Sequence, residues 1–264
     1  MDALHFSNEA IAGLILQGLL MMLLPVVLLI VWYRKTHENL IPMLIGAAVW
    51  FVFAILLKLA PAYLLLQADN PVAKAIGGNI WLTMLVSGVL AGVFEETGRF
   101  IAFRFVLKKY DRRRSAITYG IGHGGFESGY VGFQILAIAA LGILINSGMG
   151  EALTRGAEEA EIAALVAQLG PRTELTVAEC LLGVFERVPA IVVHVSFSVL
   201  VFAAVRQKRF RYLFPAAIVL HTLLDFSTVF YQAGTVPLWG MEIILAVFAA
   251  AVAFLASRIY RSPD

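Results

Sequence analysis

The sequence is poor in cysteine and in charge. Its single cysteine, Cys180, excludes an internal disulfide bond and a metal site built from several cysteines. Charged residues make up 14% of the chain and hydrophobic residues 60%, whereas soluble domains carry about 25% charged residues. The net charge is only +2, and no feature indicates a nucleic-acid partner. We therefore expect a polytopic protein surrounded by membrane lipid, with residues 1–264 forming a single integral membrane domain.

The apolar residues are gathered into seven runs that are long enough to cross a bilayer as helices. We number them as spans one to seven; they cover residues 11–33, 40–66, 80–106, 116–145, 177–205, 213–232 and 238–256. The predicted fold is all-α. An alanine-rich, acidic stretch around Glu158 to Glu161, between spans four and five, predicts one further short surface helix.

Lysine and arginine are distributed unevenly between the connections. They follow spans one, three, five and seven, whereas the connections after spans two, four and six are poor in Lys and Arg or acidic. Because cytoplasmic loops carry the excess of these residues, the pattern predicts an external N-terminus and a cytoplasmic C-terminus. The N-terminus has no basic region before its first apolar run and no small-residue cleavage site, so we expect no cleavable signal.

Span three carries two adjacent carboxylates, Glu95 and Glu96, followed by Arg99. Charges at bilayer depth are costly, and they are typical of functional sites. Polar pairs four residues apart, on one helix face, occur in three more spans: His123 with Glu127 in span four, His194 with Ser198 in span five, and His221 with Asp225 in span six. Arg99 is expected to neutralise one of the two glutamates, whereas Lys58 in span two is expected toward the outer surface, either snorkelling or in contact with solvent.

The depths of these polar residues agree. Glu95, His123, His194 and His221 each lie about nine to twelve residues from the basic cluster at the end of their span, or roughly 13–18 Å along a helix. Four separate helices have no reason to share this depth by chance. We therefore predict a buried polar site formed by spans three to six.

Two kinds of chemistry suit this set of side chains. In a metal-free version, Glu95 or Glu96 deprotonates a water molecule, while the histidines and Asp225 hold that water and stabilise the oxyanion. No cofactor is needed in this version.

In the second version the site binds a metal, with zinc as the candidate. Its possible ligands are His123, His194 and His221 with Glu127 or Asp225, and the Glu95/Glu96 pair then acts as the base. The His-Glu-x-x-His spacing of many metalloproteases is absent, so the sequence pattern does not choose between the two versions.

Four motifs, in this order, resemble the YhfC family of intramembrane peptidases, which is related to the CAAX prenyl endopeptidase/bacteriocin-processing proteins and the PrsW proteases. The motifs are Glu95-Glu96-Thr97-Gly98-Arg99, Gly122-His123-Gly124-Gly125-Phe126-Glu127, His194-Val195-Ser196-Phe197-Ser198 and His221-Thr222-Leu223-Leu224-Asp225. The resemblance implies hydrolysis of a peptide bond in or near the membrane, with a peptide or protein substrate, in a bacterial plasma membrane.

The resemblance also implies a role for each matching residue. Glu95 is then the water-activating base with Glu96 in support, His123 is the histidine of the second motif, and His221 with Asp225 forms the oxyanion site. Arg99 follows the glutamate pair after two residues instead of the three found in prenyl endopeptidases, and Glu127 and His194 are additional polar members. These departures argue against carrying over a prenylated substrate, and they keep the metal version open.

Two other classes of function use similar residues. A proton- or ion-coupled transporter also carries Asp, Glu and His within its spans, but its ionisable groups are usually strung along the depth of the membrane. A non-catalytic membrane binding or immunity protein on the same scaffold is the third possibility.

Overall fold

The computed structural model describes residues 4–263, and this part of the chain is helical, with no β-strand. Among these residues, seven helices are long and apolar enough to cross a membrane. Spans one to seven are Asn8–Thr36, Ile41–Leu66, Ile80–Val106, Arg113–Leu153, Val177–Arg206, Lys208–Tyr231 and Leu238–Arg261. The predicted all-α, seven-span fold is confirmed, and span three has the predicted bounds.

Two shorter helices lie between the spans. Glu159–Leu169 is the surface helix that the acidic stretch predicted, and it begins with a capping box in which Glu158 and Glu161 each bond to the other's backbone. Pro71–Gly77, before span three, was not predicted. Span three itself begins at a side-chain cap: Asn79 Oδ1 accepts hydrogen bonds from the backbone N–H groups of Trp81, at 2.9 Å, and Leu82, at 3.3 Å.

Three of the spans change to a wider π-helix over part of their length. In span two, the segment Phe51–Leu57 separates the α-helices Ile41–Trp50 and Lys58–Leu66. Ala102–Val106 is a similar segment in span three, whereas Ile145–Met149 in span four contains a kink at Gly148, whose φ is +82°. Such segments are frequent at functional sites because they shift which residues share a helix face.

The described residues form two compact units. The smaller unit comprises residues 4–26 and 128–187, and its core contains Phe6, Leu14, Leu169 and Cys180. A Cβ atom added to Gly13 would lie 2.8 Å from Cys180 Sγ, so the helices carrying these residues are in close contact. Cys180 is thus a buried core residue of this unit.

The larger unit comprises residues 27–127 and 188–263. Its core is built around the second half of span five, where Val193, Phe197 and Leu200 have no exposed surface. Spans three and six pack closely: a Cβ atom added to Gly92 would lie 2.6 Å from the carbonyl oxygen of Ile218. This contact brings the glutamate pair of span three beside the polar stripe of span six.

Large apolar side chains are exposed in all seven spans; examples in the larger unit are Leu44, Val219, Val247 and Phe254. On a soluble protein such surfaces would favour aggregation or partner binding. On helices of these lengths, they are the surfaces that face lipid.

Candidate active site

Four spans contribute polar side chains to one buried cluster, and all of its members belong to the larger unit. Span three supplies Glu95, Glu96 and Arg99, span four His123 and Glu127, span five His194, and span six His221. The ring centroids of His123 and His194 are 5.0 Å apart, and those of His194 and His221 are 5.7 Å apart. The predicted meeting of spans three to six at a buried polar site is therefore observed.

Glu95 lies at the centre of this cluster. Its Oε2 atom is 3.2 Å from His123 Nε2 and 3.9 Å from His221 Nε2. Its other oxygen, Oε1, is 3.8 Å from the ammonium nitrogen of Lys58. A single buried carboxylate therefore faces two imidazole nitrogens and one cation.

Glu96 has different partners, although it is the next residue. It pairs with the guanidinium of Arg99, and both side chains are completely buried. Glu96 Oε1 is also 2.8 Å from His221 Nδ1. Because an ionised carboxylate only accepts hydrogen bonds, His221 Nδ1 must carry the proton of this bond, which leaves the Nε2 lone pair of a neutral His221 on the side of Glu95.

Arg99 also fixes the orientation of His194. Its Nη2 atom is 3.2 Å from His194 Nδ1, and because a guanidinium only donates, His194 Nδ1 is the acceptor. The Nε2–H of a neutral His194 then donates to Glu127 Oε2, at 2.7 Å. The indole N–H of Trp50 donates to the same oxygen, at 3.1 Å.

Three of these residues have the geometry of a possible metal centre. One ligand atom from each of Glu95, His123 and His194 lies within 4.8 Å of the other two, and all three side chains are buried. This group differs from the predicted ligands His123, His194, His221 and Glu127. Among the described residues, His221 is not part of the group, and Glu127 reaches it only through its hydrogen bond to His194.

Two predicted site residues are placed less centrally. Asp225 lies one turn after His221 in span six, is partly exposed, and interacts electrostatically with His221 and Glu95. Ser198 is fully buried, but its hydroxyl donates to the carbonyl oxygen of His194 in its own helix, at 2.7 Å.

The glycines around His123 allow the site helices to approach one another. A Cβ atom added to Gly124 would lie 2.9 Å from His194 Cβ, and one added to Gly120 would lie 2.5 Å from Val195 Cα. Spans four and five therefore touch at the level of the histidines, because residues without a side chain let the two helices approach closely. Gly129 differs, because nothing lies within 4 Å of a Cβ atom added there.

Sequence reasoning assigned Lys58 to the outer surface, and this was wrong. The side chain is only 26% exposed and lies 3.8 Å from Glu95 Oε1, because the long aliphatic stem carries the ammonium group toward a buried carboxylate. Trp50 and Tyr119 were not predicted either. A signal for Tyr119 was present, since it precedes His123 by one helical turn, and the two rings are 5.9 Å apart.

Comparison with known proteins identifies the family of this chain. A family model described as YhfC intramembrane metalloprotease matches residues 20–246, a range that includes every residue of the cluster. The membrane protein YhfC of Bacillus subtilis (strain 168) is 33% identical over 247 residues, which are 92% of this chain and 94% of that protein. No solved structure matches. The chain is therefore an integral membrane protein that belongs to the YhfC intramembrane metalloprotease family.

Proposed function

We propose that the protein hydrolyses a peptide bond within or beside the membrane, at the cluster centred on Glu95. The observation that carries this proposal is the position of Glu95 Oε2, 3.2 Å from His123 Nε2 and 3.9 Å from His221 Nε2. A buried carboxylate between imidazole nitrogens is suited to removing a proton from water and passing it on. Membership of a family described as intramembrane metalloproteases supports the same reaction class.

The side chains present suit a catalytic metal. One carboxylate and two imidazoles, with ligand atoms within 4.8 Å of one another, are a donor set typical of catalytic zinc. Glu95, His123 and His194 would hold the ion, which when bound acts as a Lewis acid toward the substrate carbonyl. In the tautomer described above His194 carries its lone pair on Nδ1, so the ion would replace the Arg99 donor there, while Nε2–H stays on Glu127, at 2.7 Å.

The chain's own residues divide the proton transfers of this reaction. Glu95 accepts a proton from water, whose oxygen bonds to the carbonyl carbon; the C–N bond then breaks, and the proton passes to the departing amine. If Glu95 serves instead as a ligand, Glu127 is the carboxylate that takes this proton, since it is 21% exposed and adjoins His194. His221, when protonated on both ring nitrogens, keeps Nδ1–H on Glu96 and donates Nε2–H to the developing negative charge on the carbonyl oxygen, and Asp225 favours this cation.

Glu96 and Arg99 act through the histidines and have no direct role in the proton transfers. Glu96 keeps the proton of His221 on Nδ1, and Arg99 keeps the lone pair of His194 on Nδ1. The imidazoles therefore enter the reaction with defined tautomers, which is how carboxylate partners prepare histidines in hydrolases.

The proposal also covers the protein's setting. The N-terminus lies outside and the C-terminus in the cytoplasm of a bacterial plasma membrane, and the substrate is a peptide or protein that reaches the cluster from the lipid phase. The support is the alternation of basic and Lys/Arg-poor connections along the sequence.

The test is cleavage by the purified full chain in proteoliposomes, using a pool of fluorogenic peptides that each contain one apolar transmembrane segment. Glu95→Gln should lower the cleavage rate by about 10²-fold or more, the usual contribution of a general base. Glu174→Gln, which removes an exposed carboxylate outside the cluster, serves as the control and should cleave like wild type. Equal cleavage by Glu95→Gln would refute the assignment, and ion flux without any cleavage by wild type would favour a transporter.

A further inference from the structure

The larger unit contains a cavity that is separate from the cluster around Glu95. It has a volume of about 510 Å³, and among the described residues no member of that cluster lines it. Its walls come from the connection between spans three and four, from the end of span five and from the end of span seven. These are the segments where the basic residues of the sequence are concentrated.

The charged wall of this cavity has an excess of positive charge. Arg112, Arg113 and Arg206 line it, against a single carboxylate, Asp111. The side chain of Arg112 is 79% exposed and forms an ion pair with Glu38, at 3.9 Å. Guanidinium groups around one cavity are the chemistry that recognises a phosphate, because their N–H groups match its oxygens in pairs; that of Arg113 also donates to the carbonyl oxygen of Tyr260.

Arg206 is held in place at this wall. Its Nη2 atom donates to the carbonyl oxygen of Leu107, at 2.9 Å, and its guanidinium lies 5.3 Å from the ring centroid of Phe202. Its Nε atom is buried and has no hydrogen-bond partner among residues 4–263. These contacts fix the position of the Arg206 guanidinium group at the cavity.

Part of the cavity wall is apolar. Val199, Phe202, Ala203 and Ile259 line it, and three of these belong to the buried half of span five. A cavity that combines guanidinium groups with aliphatic and aromatic side chains suits a molecule with a charged and an apolar part. Basic pockets between transmembrane helices characteristically hold anionic lipid headgroups.

We propose that this cavity binds the phosphate headgroup of an anionic membrane lipid, with the first part of an acyl chain against the apolar wall. A free phosphate shares the charge chemistry but makes no use of the apolar wall. The assignment is independent of the peptidase function, because it rests on residues outside the cluster around Glu95.

The first experiment measures lipid binding to the full chain by native mass spectrometry. The probes are dioleoyl phosphatidylglycerol, dioleoyl phosphatidylcholine and inorganic phosphate. The variant Arg112→Gln/Arg206→Gln should bind phosphatidylglycerol about 30-fold more weakly, the effect of two basic residues beside an anionic lipid surface. Its matched control, Lys208→Gln/Arg209→Gln, removes the same charge from exposed residues that do not line the cavity, and should bind within about twofold of wild type.

Two further variants protect this test from a folding defect. Arg112→Gln changes only an exposed side chain, and should itself weaken phosphatidylglycerol binding about fivefold. Ala203→Leu fills the apolar side of the cavity without changing charge, and should weaken lipid binding while leaving any phosphate binding unchanged. An equal loss in the Lys208/Arg209 control, equal binding of phosphatidylcholine, or displacement of the lipid by millimolar phosphate would each overturn the proposal.

Discussion

Replacing Arg99 by methionine tests the organisation of the candidate site directly. The Arg99 side chain is completely buried, pairs with Glu96 and donates to His194 Nδ1, at 3.2 Å. Methionine preserves most of the apolar volume but leaves the Glu96 carboxylate buried, with His221 as its remaining hydrogen-bond partner. Removing one member of a buried ion pair costs about 3–5 kcal/mol. The equilibrium constant for unfolding should therefore rise about 10²- to 10⁴-fold.

The double variant Arg99→Met/Glu96→Gln removes both charges and should recover most of that loss, because no uncompensated charge stays buried. Stability is measured as loss of helicity during SDS titration of detergent micelles, with Arg209→Met, at an exposed position, as the control. In the single variant, the nitrogen-15 chemical shift of His194 Nδ1 should also change, because Nδ1 no longer accepts a hydrogen bond from Arg99. A single-variant cost below about 1 kcal/mol, or a double-variant cost equal to the sum of the two single costs, would refute the pairing.

Three further predictions concern activity in proteoliposomes. Lys58→Met removes the cation 3.8 Å from Glu95 Oε1 and should lower kcat about tenfold, a charge effect of ordinary size. The control Lys74→Met, at an exposed ion pair with Asp69, should leave kcat unchanged. Equal kcat values for Lys58→Met and wild type would exclude a role for Lys58. Trp50→Phe keeps an aromatic ring but loses the N–H donor to Glu127, so initial rates should fall several-fold while the free energy of unfolding changes by about 1 kcal/mol. Dialysis against a chelator should abolish cleavage and added zinc should restore it; full activity after complete metal removal would leave only the metal-free version.

The spans were predictable because their signal is local. An apolar run of sufficient length identifies a transmembrane helix without reference to any other part of the chain. Residues 80–106, for example, were predicted and are observed as span three. The capping asparagine before that span explains its sharp start. The helix Pro71–Gly77 was missed because seven residues between two spans carry too little periodicity to stand out.

The meeting of spans three to six was predictable from depth and helical spacing, but the pairing of individual groups was not. Arg99 follows Glu95 by four residues and Glu96 by three, and both spacings allow an ion pair on a helix. The observed partner is Glu96, whose oxygen also meets Nδ1 of His221. Which glutamate pairs with Arg99 depends on how span six is rotated about its own axis. The residue pattern of span three carries no information about that rotation.

Span two shows a different limit. Trp50 and Lys58 both reach the cluster, and they stand on either side of the π-helical segment Phe51–Leu57. A π-helix has more residues per turn than an α-helix, so the 3.6-residue period assigns the wrong faces beyond it. The ammonium group of Lys58 was expected toward the outer surface and is found beside Glu95.

The two neighbouring glutamates differ because consecutive residues of a helix point about 100° apart. That angle directs Glu96 to Arg99 and His221 Nδ1, and directs Glu95 to the Nε2 atoms of His123 and His221. A carboxylate held by a guanidinium and an imidazole N–H is a poor proton acceptor, whereas one facing imidazole nitrogens can exchange protons with them. The arrangement supports different roles for the two residues: Glu96 orients His221, and Glu95 takes part in proton transfer. We therefore expect Glu95→Gln to lose cleavage activity while keeping the fold. Glu96→Gln should also lower the free energy of unfolding, because it leaves Arg99 as an uncompensated buried charge.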